Sequence, residues 1–213
     1  MEILLNNEVV LKGTVISDVV FSHEIYGETF NKFVLKVPRL SENFDEVVIT
    51  VSERLTDTKN IIIGQNVKIE GQFRSYNNYT ETGNRLVLTV FSKTIEMCDD
   101  INDSPNSIYL NGFICKEPVY RTTPFGREIC DVLVAVNRQY GKSDYIPCIT
   151  WGRNAKFTGG LDVGTNIKIW GRIQSRNYRK KVDEEEYVEK TAYEVSVTKM
   201  EIVRQEKAEV HSV

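Results

Sequence analysis

Histidine is almost missing from this chain: two in 213 residues, His23 and His211, each isolated from any patterned nucleophile or carboxylate. That scarcity argues against histidine-based acid–base catalysis. No Walker-type loop, G-x-G-x-x-G run or metal-ligand spacing supplies another route to chemistry. The four cysteines, Cys98, Cys115, Cys130 and Cys148, are widely spaced and form no C-x-x-C. A zinc site or a disulfide framework is therefore not expected, and the thiols read as reduced. No apolar run approaches the roughly 20 residues that a membrane span needs. The start M-E-I-L-L-N-N-E lacks the cationic segment and apolar core of a secretory signal. Together these absences lead us to expect a cytoplasmic, non-enzymatic chain with no cofactor and no membrane association.

A net basic charge is missing too, since 27 Lys and Arg stand against 30 Asp and Glu, a balance of −3. The average hides an asymmetry. Residues 1–99 hold 10 basic and 14 acidic side chains, whereas residues 105–203 hold 15 and 12. Any polyanion contact is therefore expected mainly in the second half.

What is present is a repeat, with an offset near 99 residues. V-V-L-K-G-T-V from Val9 matches I-Y-L-N-G-F-I from Ile108, and Tyr26-Gly27 matches Phe125-Gly126. F-V-L-K-V-P-R from Phe33 matches V-L-V-A-V-N-R from Val132, and G-Q-N-V-K-I-E-G-Q-F-R-S-Y from Gly64 matches G-T-N-I-K-I-W-G-R-I-Q-S-R from Gly164. Register kept through four blocks identifies a duplicated domain. Alternating β-branched residues predict five strands per copy, near 8–20, 29–39, 45–54, 66–76 and 85–97, then 107–118, 127–138, 144–151, 165–177 and 187–203. One or two helical turns are expected between the third and fourth strands, at Glu53–Asn60 and Gly152–Leu161. That order is the order of an OB-fold, a five-stranded Greek-key barrel whose face and loops bind oligonucleotides or oligosaccharides. The chain thus divides into a diverged barrel at 1–98, a linker at 99–106, a second barrel at 107–203 and a polar, fraying tail at 204–213.

The run from Thr165 to Tyr178 carries the functional signal. Read as a strand, it places Ile167, Ile169, Gly171 and Ile173 on one face. Lys168, Trp170, Arg172, Gln174, Arg176 and Tyr178 fall on the other. Stackable aromatics interleaved with cations suit a single-stranded nucleic acid, because rings stack on bases while Lys and Arg follow the phosphates. Trp170 also suits a protein interface, where Trp is enriched. In the third strand Tyr145 and Trp151 share parity with Pro147 and Ile149, opposite Ile146, Cys148 and Thr150. Both faces are moderately apolar, so periodicity leaves the inward one undecided. Arg179, Lys180 and Lys181 begin a hairpin loop suited to phosphate contact, and Asp183 to Glu186 continue it as an acidic, solvated turn. In the first copy Lys68, Arg74, Tyr76 and Tyr79 preserve part of a binding face that Glu70 spoils.

These blocks, with T-P-F-G-R-E, D-Y-I-P-C-I-T-W-G-R-N-A and the final Y-E-V-S-V-T-K-M-E-I, make residues 106–203 resemble bacterial single-stranded DNA-binding proteins. The first copy resembles a drifted member of the same family. The resemblance implies binding and protection of single-stranded DNA without strong sequence preference, in replication, recombination or repair and in association with the nucleoid. It also implies a homodimer of two-barrel chains, four OB-folds in all. Carried onto this sequence, it places stacking aromatics at Tyr145, Trp151 and Tyr178 and backbone-facing cations at Arg172 and Arg176. Arg127, Arg138 and Arg153, within the matched motifs, join the DNA-binding candidates. Opposite Trp151 the first copy has Ser52, or Val51 with a one-residue slip, and opposite Trp170 it has Glu70. The family's acidic C-terminal tip ending in Pro-Phe is missing, so partner recruitment by that route is not expected. A primosome-like or RNA-binding OB protein, or an assembly scaffold whose barrels mainly bind protein, are the alternatives.

Overall fold

Twelve strands and one α-helix make up the computed structural model of the chain, which describes residues 5–55, 57–80, 83–181 and 187–203. The acidic turn from Asp183 to Glu186 and the tail 204–213 lie outside the described residues, as do the side chains of Tyr79, Lys180 and Lys181.

The first copy contributes β1 (Asn7–Val15), β2 (Val20–Ile25), β3 (Glu28–Pro38), β4 (Phe44–Ser52), β5 (Asn66–Thr80) and β6 (Gly83–Met97). The second contributes β7 (Asn106–Ile114), β8 (Val119–Thr122), β9 (Glu128–Asn137), β10 (Ser143–Trp151), α1 (Arg153–Thr158), β11 (Asn166–Lys181) and β12 (Tyr187–Ile202). Each copy is an OB barrel: β1–β5–β6–β4–β3 closes back on β1 through Thr14↔Lys36, and β7–β11–β12–β10–β9 closes on β7 through Phe113↔Ala135. Alternation produces the cores. Leu11, Phe33, Leu35, Ile49, Ile69 and Phe73 fill the first barrel, and Leu110, Ile114, Val134, Ile146, Ile169 and Ile173 fill the second.

Each copy has six strands where the sequence pattern gave five. The expected strand at 8–20 breaks at Ser17, whose hydroxyl donates to the Asp18 carbonyl and accepts the Val34 N–H of β3 in place of a backbone ladder bond, so the chain resumes as β2, paired only with β3. In the second copy Pro118, which has no N–H to donate, stands just before β8. The expected helical turns form fully only in the second copy, as α1; the first has a three-residue 3₁₀ turn at Thr58–Asn60.

The repeat-matched glycines have a common cause. A Cβ on Gly71 or Gly171 would stand 2.3 Å from the carbonyl oxygen of Phe91 or Ser196, so only glycine lets these strands cross so closely. Each lies at a bulge, with Lys93 the extra residue on β6 and Thr198 the extra residue on β12.

The two barrels share one sheet. β1 pairs antiparallel with β7, Val9 opposite Ile108, so the backbone ladder runs through all twelve strands.

Candidate nucleic-acid interface

β10 turns its two end aromatics outward, although Ile149 between them is covered by its pairing with Ser196 of β12. Ile146, Cys148 and Thr150 are buried, while Tyr145 is 45% and Trp151 is 36% exposed. The Trp151 Nε1–H donates to Ser196 Oγ on β12 at 3.2 Å, which pins the indole edge to the barrel's outside. Ser196 is the register partner of both Ile149 on β10 and Arg172 on β11. Six steps of strand separate the two aromatics, about 20 Å along the surface at about 3.3 Å per residue. Two cations stand at the Trp151 end: Gly152 N–H donates to the Glu128 carbonyl at 2.9 Å, which brings the turn carrying Arg127 beside the exposed Arg153 at the start of α1.

The alternation read along β11 holds. Ile167, Ile169 and Ile173 are buried; Lys168, Trp170, Arg172 and Gln174 are partly exposed, and Arg176 and Tyr178 are exposed. The outward side chains do not form one surface, however. Trp170 packs against Tyr109 of β7, ring centroids 5.2 Å apart and tilted by 45°, and Lys199 of β12 sits 4.5 Å from the indole centroid. These neighbours are register partners, and Tyr109 in turn faces Glu8 of β1. Trp170 therefore belongs to the central sheet face spanning both barrels, whereas Arg176 and Tyr178 extend along the β11–β12 arm opposite Ala192 and Lys190. Arg179 lies 3.5 Å from the Glu189 carboxylate, both exposed.

Arg138 and Arg172 are placed in the seam between barrels rather than on the aromatic face. The Arg138 guanidinium forks onto Asp144, with Nε donating to Oδ2 at 2.6 Å, and also donates to the Ser75 carbonyl of the first barrel at 2.7 Å. Asp144 is 2% exposed and accepts the Ser75 N–H at 2.6 Å, while Tyr145 N–H donates to Ser75 Oγ at 2.7 Å. The same clip recurs by pseudo-symmetry. Asp45, fully buried, accepts from Arg39 and from the Ser175 N–H at 2.6 Å, and the Glu46 N–H donates to Ser175 Oγ at 3.1 Å. Its hydrogen bond to Asp45 raises the Arg39 pKa. Arg172 approaches Asp45 at 3.5 Å, which occupies it within the seam. Within each barrel a matched asparagine does the same for its own strands, Asn7 exchanging two hydrogen bonds with the backbone of Phe73 and Asn106 two with that of Ile173.

In the first barrel Ser52, fully buried, occupies the Trp151 position: Phe30↔Ser52 matches Ile129↔Trp151. Lys68 is held 2.6 Å from Glu70, which raises its pKa and offsets its charge. Arg74 and exposed Tyr76 remain on the outer face of β5. Sequence reading missed the roles of Asp45 and Asp144, although the repeat pairs Asp45 with Asp144, Arg39 with Arg138 and Ser75 with Ser175. It also missed the contacts of Tyr109 and Lys199, which only strand register brings to Trp170. Among the described residues no group of three or more His, Cys, Asp or Glu converges for a metal, and no helix is long and apolar enough to cross a membrane.

Residues 105–203 match the model of the single-strand binding protein family. A single-stranded DNA-binding protein of Clostridium tetani is 36% identical over 90 residues, 39% of this chain and 62% of that protein. Single-stranded DNA-binding protein A of Bacillus subtilis is 35% identical over 80 residues, 34% of this chain and 46% of its own length. The chain thus spans about half to three fifths of the curated relatives it matches. The fold of both barrels together is that of the wild-type single-stranded DNA binding protein from Thermus aquaticus, with a TM-score of 0.74 at 16% identity over 95% of each chain.

Proposed function

We propose, from a second barrel that belongs to the single-strand binding protein family, that this chain binds single-stranded DNA without strong sequence preference and protects it in replication, recombination or repair. The observation that carries the proposal is the outward pair Tyr145 and Trp151 on β10, with cations at the Trp151 end. Each base stacked on such a ring contributes about 1–3 kcal/mol whatever its identity, and phosphate contacts add a salt-dependent term. Arg127, Arg153, Arg176, Tyr178 and Arg179 extend this surface, whereas Lys168 stands on the row of Trp170. Arg138 and Arg172 hold the barrels in place, and no chemical step is involved. Trp170, beside Tyr109 and under Lys199, suits a different task. Its row on the central sheet face is where we place contact with a second copy of the chain, giving a homodimer with four barrels at work on the nucleoid.

Fluorescence of the two tryptophans titrated with oligo(dT) tests the proposal. The W170F variant, with only Trp151, should be quenched on binding, and added salt should reverse the effect. The W151F variant should respond much less. Absence of quenching in W170F, together with no retardation of the DNA at low salt, would refute the reading. Sedimentation of W170A tests the dimer, which should dissociate at lower dilution than the unmodified chain.

A further inference from the structure

The two ends of the inter-barrel seam are alike in backbone but not in charge. At one end a groove of about 600 Å³ opens between β5 and the β9–β10 loop, and its walls carry Arg74, Lys93, Arg138 and Lys142 against the single carboxylate of Asp144. The pseudo-equivalent groove at the other end, about 620 Å³, carries only Arg39 and Arg172 against Asp45. Asp144 is already saturated by Arg138 and by the Ser75 N–H. Among the described residues Lys93 and Lys142 make no ion pair, and the only side-chain acceptor Arg74 reaches is the Gln72 amide oxygen at 2.6 Å. Lys93 is the extra residue of the β6 bulge, and a bulge re-aims its side chain, here into the groove. Its counterpart Thr198 instead turns back onto its own sheet, donating to the Trp170 carbonyl at 3.0 Å. Burial and the nearby Arg138 charge lower the Arg74 pKa against the opposing pull of Asp144, and the guanidinium lies over the Phe91 ring, 5.0 Å from its centroid.

Aromatics follow the same asymmetry. Exposed Tyr145 and Tyr76 flank the Ser75 clip beside the cationic groove, whereas Glu46 and Arg176 occupy those positions at the other end. A concave, cationic, amide-lined channel with a stackable ring on each barrel fits the backbone of a nucleic-acid strand.

We infer that this groove is a phosphodiester-binding site which carries a single strand from the aromatic face of the second barrel onto β5 of the first, with Lys93, Lys142 and Arg74 as its phosphate contacts. The inference rests on the single-stranded DNA reading above. It gives the diverged first barrel a defined part: the strand crosses between barrels at the end of the seam that carries Lys93 and Lys142. The choice of end follows from the balance of charge, since among the described residues Lys93 and Lys142 stand unpaired at this end, whereas Glu46 adds a second carboxylate beside Asp45 at the other.

The test uses the full chain with K93Q/K142Q, both surface positions whose change leaves the clip intact. Affinity is measured against salt for oligo(dT) of about 8 nucleotides, within one barrel's site size, and of about 30, enough for two. Loss of two phosphate contacts should make the log–log salt slope for the long oligomer shallower by about 1.4 and leave the short one unchanged. A matched variant away from the groove, K59Q/K116Q, should alter neither. An unchanged slope with the long oligomer, or an equal loss in K59Q/K116Q, overturns the groove while the DNA-binding reading stands. Failure of the unmodified chain to bind either length overturns both.

Discussion

Removing the Asp144 carboxylate is the most informative single perturbation of the seam. D144A would strip the Arg138 guanidinium of its forked partner and leave the Ser75 N–H without the acceptor it now meets at 2.6 Å. Breaking a buried ion pair by deleting one partner costs about 3–5 kcal/mol, because the remaining charge stays desolvated. The Arg138 side chain is 24% exposed and can regain some water, so the lower end applies, about 3 kcal/mol. With a urea slope of about 3 kcal/mol/M, the midpoint should fall by about 1 M. The internal reference is D131A. Asp131 pairs with Arg121 at 2.6 Å, but both side chains are well exposed, and such pairs are worth about 0–1 kcal/mol. Urea unfolding followed by far-UV circular dichroism compares the two. Equal midpoints for D144A and D131A would refute the argument, because a clip that costs no more to break than an exposed pair is not holding the barrels together.

G171A should lower stability by about 1–3 kcal/mol, since its Cβ meets the Ser196 carbonyl oxygen at 2.3 Å and the strand must move. Thermal melts check that value, and weaker oligo(dT) quenching should accompany it because Ser196 also anchors Trp151. Thiol labelling at pH 8 should modify Cys98 and Cys115 before Cys130, and Cys148 only in denaturant. Burial pushes the Cys148 thiol pKa far up, so its thiolate fraction stays small as the pH rises through the range where a free cysteine ionises. W151A should weaken oligo(dT) binding by about 1–3 kcal/mol in a retardation assay, and S52W in the first barrel should not add the same amount, because Ser52 is fully buried against Glu28.

How much of this was legible in the sequence depends on whether a feature lies within one strand or between two. Alternation along β11 assigned Ile167, Ile169 and Ile173 to the core because a strand's period is local. The matched glycines located Gly71 and Gly171 at equivalent places, although the close crossing that demands them involves carbonyls of β6 and β12. On β10 the pattern was ambiguous, since Pro147 and Ile149 are as apolar as Ile146 and Cys148, and only the barrel's closure determines which set points inward. Trp170 was assigned by parity to one surface with Arg172 and Arg176. Neighbouring strands split that surface, giving Trp170 to Tyr109 and Lys199 and Arg172 to Asp45. Nothing in the sequence singles out Asp45 and Asp144, because their partners Ser175 and Ser75 lie in the other repeat. The break between β1 and β2 was invisible for a similar reason, resting on a Ser17 hydroxyl rather than on a glycine or proline.

The ladder joining β1 to β7 does more than fix geometry. In a pair of identical subunits related by a two-fold axis, every substitution appears twice, and both ends of their shared seam must carry the same side chains. Here the two halves are covalently one chain, so each position is chosen once. Tyr145 can differ from Glu46, Lys93 from Thr198 and Trp151 from Ser52 without any compromise between copies. The fused pair keeps the cooperative framework of a symmetric dimer while having a distinguishable left and right. A strand lying across it could therefore be held in one polarity, something an exactly symmetric pair has no means to choose.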